Sequence, residues 1–112
     1  MKISWQSLEA NITLVRLKGR LDAMACSEVK ATLRKFIEKG WLNIVIDLQS
    51  VPFIDSSGLT ALVSGLRLAR EKGGNIALSN IPPQAQTVFH LTMLDRIFSI
   101  YPTVDEAKQS LI

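Results

Sequence analysis

Apolar positions along the 112-residue chain alternate between two periods. "KISWQSL" and "ITLVRLKG" read as two strands joined by a turn at Glu9, Ala10 and Asn11. In the second, Thr13, Val15 and Leu17 fall on one face and Ile12, Leu14 and Arg16 on the other. The period then changes. Cys26, Val29, Leu33, Phe36 and Ile37 form a stripe at helical spacing, with Asp22 placed to cap the helix and Gly40 to end it. "WLNIVIDL" returns to strand. Its consecutive Ile44, Val45 and Ile46 suit a central strand covered on both faces. Leu59, Leu62, Val63 and Leu66 mark a second helix that stops at Gly73-Gly74, and "NIALSNI" is a further strand. Pro82 and Pro83 open a third helix with Val88, Phe89, Leu91 and Leu94 as its apolar members. "IFSIY" is a short last strand. "TVDEAKQSLI" is a closing helix in which Thr103 and Glu106 have the spacing of a capping box.

Strands alternating with helices predict an α/β sandwich: a mixed, mostly parallel sheet of about five strands with about four helices. The length predicts one domain, residues 1–112. A composition 47% hydrophobic and 21% charged supplies a core. The single Cys26 excludes an internal disulfide. With no signal-peptide pattern at "MKISWQSLEAN", it points to a reducing cytoplasm. No apolar run is long enough to span a bilayer. The net charge of +3 invites a nucleic-acid reading. The cations are interleaved with acids, however, as on solvated helix faces, and no aromatics alternate with them, so direct nucleic-acid binding is not expected.

The candidate chemistry lies in "FIDSSGLTALVSGLRLAREKGG", which starts at Phe53. An acid and two hydroxyls at a strand-to-helix junction serve as a helix cap, a nucleophile or a modification site. Asp-Ser-Ser before a helix is ordinary capping chemistry. A nucleophile elbow needs G-x-S-x-G, and "I-D-S-S-G" lacks the first glycine. His90 is the lone histidine and stands on a helix, so no base accompanies a serine nucleophile. No clustered ligands suggest a metal, and no phosphate-loop spacing suggests a nucleotide. The chain is therefore expected to be neither an enzyme nor a cofactor carrier. As a modification site the junction has an open Ser56 hydroxyl beside the cap, with Gly58 leaving room for an approaching partner. A Ser56 phosphate would be favoured by free helix-end N–H groups and opposed by Asp55.

"VPFIDSSGLTALVSGL" resembles the signature of the STAS domain family, and within it the stand-alone bacterial anti-sigma factor antagonists. "VRLKGRLDAMACSEVKATL" is similar to the family's second strand, G-x-L-D turn and first helix, and "NIVIDLQSVPFIDSSGL" to its central strand and phosphorylation loop. "GGNIALSNIPPQAQTVFHLTMLDRIFSIYPTVDEA" is similar to its C-terminal half. The resemblance implies partner switching. The unmodified protein binds an anti-sigma factor with serine kinase activity and a histidine-kinase-like ATPase fold, freeing the sigma factor. Phosphorylation at Ser56 ends binding, and a PP2C-type phosphatase restores it. By the same resemblance, Asp22, Asp55, Ser56, Ser57, Gly58, Leu59 and Thr60 make the partner-binding surface. Thr60 stands where many members have glycine, and Arg20 where an acid is common; both are expected to tune partner choice. The alternative is a STAS adaptor subunit of a transporter or stress-signalling complex, with Ser56 only a cap.

Overall fold

A computed structural model describes residues 1–112. The strands are β1 (Lys2–Ser7), β2 (Ile12–Lys18), β3 (Asn43–Ser50), β4 (Asn75–Ser79) and β5 (Ser99–Tyr101). The helices are α1 (Ala23–Glu38), α2 (Ser56–Glu71), α3 (Pro83–Leu91) and α4 (Val104–Ser110). The sheet order is β1-β2-β3-β4-β5. β1 pairs antiparallel with β2, and every later neighbour is parallel.

Topology decides where the helices lie. Each crossover steps one strand in the same direction, and right-handed crossovers then put α1, α2 and α3 on one face. That face holds the main core. Val15, Leu17, Ile44, Ile46, Ile76 and Leu78 of the sheet meet Val29, Leu33, Leu62, Leu66 and Phe89 of the helices. The opposite face carries a smaller cluster of Ile12, Leu14, Val45 and Ala77, covered by Ala107 of α4. β3 is thus buried on both sides, as its unbroken apolar run requires. Beyond α4 this second face turns polar. There the nearly buried Asp47 accepts from the Gln49 N–H and from Asn80 Nδ2, and Arg16 lies 3.5 Å from its other oxygen.

Several boundaries and core positions differ from the sequence reading. β3 begins at Asn43, not Trp41. Trp41 instead packs tilted against Phe36 with ring centres 4.9 Å apart, and Trp5 of β1 packs on the same ring at 5.3 Å. On α1 the buried stripe is Ala25, Val29, Leu33, Phe36 and Ile37; Cys26 lies at its flank and is half-buried. α3 stops at Leu91. Met93 enters the left-handed region, and the Thr92 hydroxyl donates to the Val88 carbonyl. Leu91 is consequently 76% exposed rather than core, its place taken by Ala85, while Leu94 belongs to a separate 3₁₀ turn at Leu94–Arg96. Ile97 and Phe98 precede the last strand; Phe98 is buried edge-on against Phe89 at 5.8 Å. The capping box of α4 is half made. Thr103 Oγ1 accepts from the Glu106 N–H, but no bond returns from the Glu106 side chain.

Candidate functional site

Two chain segments leave the C-terminal ends of neighbouring parallel strands and run side by side. After β2, Gly19 donates to the Ser50 carbonyl and Leu21 to that of Phe53; the Asp55 N–H donates to Leu21. Leu21 and Ile54 form a single parallel bridge, extending β2 and β3 by one irregular step. One residue later each segment turns into a helix, and each helix is capped by an aspartate. Asp22 Oδ1 accepts from the Met24 N–H at 3.0 Å, and Asp55 Oδ1 from the Gly58 N–H at 3.0 Å. The mouths of α1 and α2 therefore open together at one sheet edge, where α/β folds gather their binding loops.

A third element holds this arrangement. Gln84, in the first turn of α3, accepts from the Ile54 N–H and donates to the Ile54 carbonyl, both at 3.0 Å. Its amide thus pairs with the loop as a strand would. Nothing in the periodicity of the chain singles out Gln84. Its partner lies 30 positions away, and a glutamine after a proline pair reads as solvent-facing. The stacking of Arg20 over Phe53, 4.1 Å from the ring centre, was equally hidden, as was its ion pair with Asp22 at 3.6 Å. Both draw the Gly19–Asp22 turn onto the Phe53–Asp55 link.

The junction residues divide by burial. Ser56 is exposed in the first position of α2, and Ser57 is half-buried. Neither hydroxyl caps the helix, because Asp55 does so. The Ser56 and Ser57 N–H groups donate to no protein acceptor, so two unpaired donors lie at the mouth of α2 beside the Ser56 hydroxyl. Thr60 is exposed, and its hydroxyl donates to the Ser56 carbonyl at 2.9 Å. Gly58 and Leu59 are buried, so they lie beneath the exposed residues of the expected surface. A Cβ at Gly58 would sit 2.1 Å from the Leu21 carbonyl oxygen. The glycine is thus required by close packing of α2 against the Leu21 turn. Leu59, 3% exposed, only floors a shallow depression between Ser56, Thr60, Val63, Thr92 and Leu94. What reaches solvent is Asp22, Asp55, Ser56, Ser57 and Thr60, together with Arg20 and the 91%-exposed Met24 on the first turn of α1. No group of three potential ligands gathers to hold a metal. No helix is long and apolar enough to cross a membrane.

A five-stranded mixed sheet with three helices on one face and one on the other, and its loop site between two capped helices, defines a small α/β sandwich module. The STAS domain profile matches residues 8–107, and the chain belongs to that family. An anti-sigma F factor antagonist of Paenibacillus polymyxa is 30% identical over 91 residues, covering 80% of this chain and 78% of the relative. The crystal structure of a candidate anti-sigma factor antagonist from Thermotoga maritima superposes with a TM-score of 0.91 at 27% identity, over 97% of this chain and 93% of that one. The phosphorylated form of the Bacillus cell-fate determinant SpoIIAA shares the fold. Its TM-score is 0.76 at 23% identity, over 99% of this chain and all of the other.

Proposed function

We propose that this chain is an anti-sigma factor antagonist switched by phosphorylation at Ser56. Unmodified, it binds an anti-sigma factor that is also a serine kinase of the histidine-kinase-like ATPase fold, and so frees a sigma factor. The kinase phosphorylates Ser56 and the complex parts; a PP2C-type phosphatase resets the protein. The chain itself performs no catalysis and works in the cytoplasm as a single domain. Asp22, Asp55, Ser57 and Thr60 frame the contact around Ser56.

The observation that carries this reading is the division of labour at the mouth of α2. Asp55 supplies the cap, which leaves the Ser56 hydroxyl exposed and without structural duty. A phosphate there adds about −1.5 to −2 charges beside two free N–H donors, so the fold tolerates it. The same charge set into a close protein interface is unpaired and costly, so it ends binding. Support also comes from the antagonist relatives and from the existence of a phosphorylated state of SpoIIAA.

The test uses the unmodified protein to capture its anti-sigma factor, which is identified by mass spectrometry. The pair is then incubated with ATP, and phosphopeptides are mapped. Phosphate is expected on Ser56. Phosphate confined to Ser57 or elsewhere, or none, overturns the proposal.

A further inference from the structure

Ile54 has different partners on its two sides. Toward β2, the bridge to Leu21 uses the residues flanking Ile54: the Leu21 N–H donates to the Phe53 carbonyl and the Asp55 N–H to the Leu21 carbonyl. In parallel pairing this pattern turns the N–H and C=O of Ile54 itself to the opposite side. There β4 has already ended at Ser79, so no strand is left to receive them. Ile54 is 1% exposed, which makes solvent a poor substitute. The Gln84 amide takes both groups and stands in for one residue of the missing strand. Its own place is fixed from several sides. Asn80 turns the chain out of β4 in the left-handed region and donates to Asp47. Gln86 Nε2 donates to the Ile81 carbonyl at 2.8 Å, and Ala85 and Phe89 anchor α3 in the core.

We infer that Gln84 is the positioning residue of the Ser56 acceptor. This rests on the proposed function, whose site it deepens. Asp55 follows Ile54 directly, and its carboxylate caps α2 one residue before Ser56. Holding both polar groups of Ile54 fixes the path of the chain into that cap, and with it the place of the Ser56 hydroxyl. Phosphoryl transfer requires such a place. A bond forms between Ser56 Oγ and the γ-phosphorus of ATP as the bond from that phosphorus to its bridging oxygen breaks; ADP departs, and the hydroxyl proton passes to a basic group of the kinase. The attacking oxygen must lie in line within about 3–3.5 Å, and a misplacement of about 1 Å costs about a hundredfold in rate. Gln84 bonds to neither Ser56 nor Asp55; it acts through the backbone of Ile54. Its loss should therefore lower the rate of transfer more than the affinity for the kinase.

Gln84→Met keeps the length of the side chain and removes both bonds. Ile76→Val, which trims the core, is the control for lost stability alone. With the purified anti-sigma factor identified above, kcat for Ser56 phosphorylation should fall about tenfold or more in Gln84→Met, with KM within about threefold of wild type. Ile76→Val should keep both. Should Gln84→Met prove too unstable for the assay, Gln84→Asn, one methylene shorter, should show the same split. Amide hydrogen exchange needs no partner and reads the loop directly. Relative to the Ile44 and Ile46 amides of the central strand, those of Leu21, Ile54 and Asp55 should all lose protection by about tenfold or more in the Gln84 variant. An unchanged kcat overturns the inference, as does an equal fall in Ile76→Val. Loss of protection at Ile54 alone also overturns it, since Gln84 would then satisfy a backbone group without ordering the loop. If wild type binds no anti-sigma factor or takes no phosphate on Ser56, the proposed function fails and the kinetic role fails with it; the exchange pattern then decides by itself whether Gln84 orders the loop.

Discussion

Asp22 has two duties at one position. Its carboxylate caps α1, and it also lies at the shared mouth beside Arg20, with its side chain 24% exposed. Asparagine caps about as well as aspartate. Asp22→Asn should therefore hold stability within about 1 kcal/mol, the loss being an exposed ion pair with Arg20. If the charge itself meets the partner, the phosphorylation rate of Ser56 should fall about tenfold, the equivalent of about 1.4 kcal/mol. Urea unfolding and a single-turnover phosphorylation assay separate the two duties. A normal rate would make Asp22 structural only.

At the scale of elements, the seating of α2 against the Leu21 turn fixes the site. Gly58→Ala would press a methyl group against the Leu21 carbonyl and side chain. The loop must move, and overpacking of this kind costs about 3 kcal/mol. The denaturation midpoint should drop accordingly, and Ser57→Ala, whose side chain does not cap the helix, should be the mild control. The elements themselves were legible in the sequence because their periods differ. The α1 and α2 stripes, the run in β3 and the aspartate caps all rest on local spacing. The shared edge of the Asp22 and Ser56 loops follows instead from the parallel topology of β2 and β3. What was hidden is non-local. The Gln84 amide on Ile54, the tight approach of Gly58 and the rotation of Leu91 out to solvent depend on where α3 and the Leu21 turn lie in space. Gly58 is the instructive case: glycine at a helix start suggests openness, and here it signals contact.

At the scale of the whole molecule, the first and last segments are tied together by Lys108. Its ammonium donates to Glu9 Oε1 at 2.6 Å and lies 3.4 Å from Asp105. Glu9 sits in the 3₁₀ turn between β1 and β2, 99 positions away, where Ala10 and Asn11 both adopt positive φ. The hydrogen bond to Glu9 raises the Lys108 pKa above its ordinary 10.5, against partial desolvation, with Asp105 adding to the rise. A raised folded-state pKa stabilises fully below the ordinary value and loses that contribution as pH climbs through the raised one. The stability advantage of wild type over Lys108→Met should thus be constant up to about pH 10 and shrink above it, as read by urea unfolding across that range. A constant difference up to about pH 12 would mean that the tie adds nothing through its charge.

The cap supplied by Asp55 has a consequence for the history of such a chain. Because the cap draws on the aspartate and not on the serines after it, side chains at 56 and 57 can change without loss of that cap. Descendants of one gene can then gain, lose or relocate an acceptor hydroxyl by a single substitution each, so regulation and architecture diverge at separate rates.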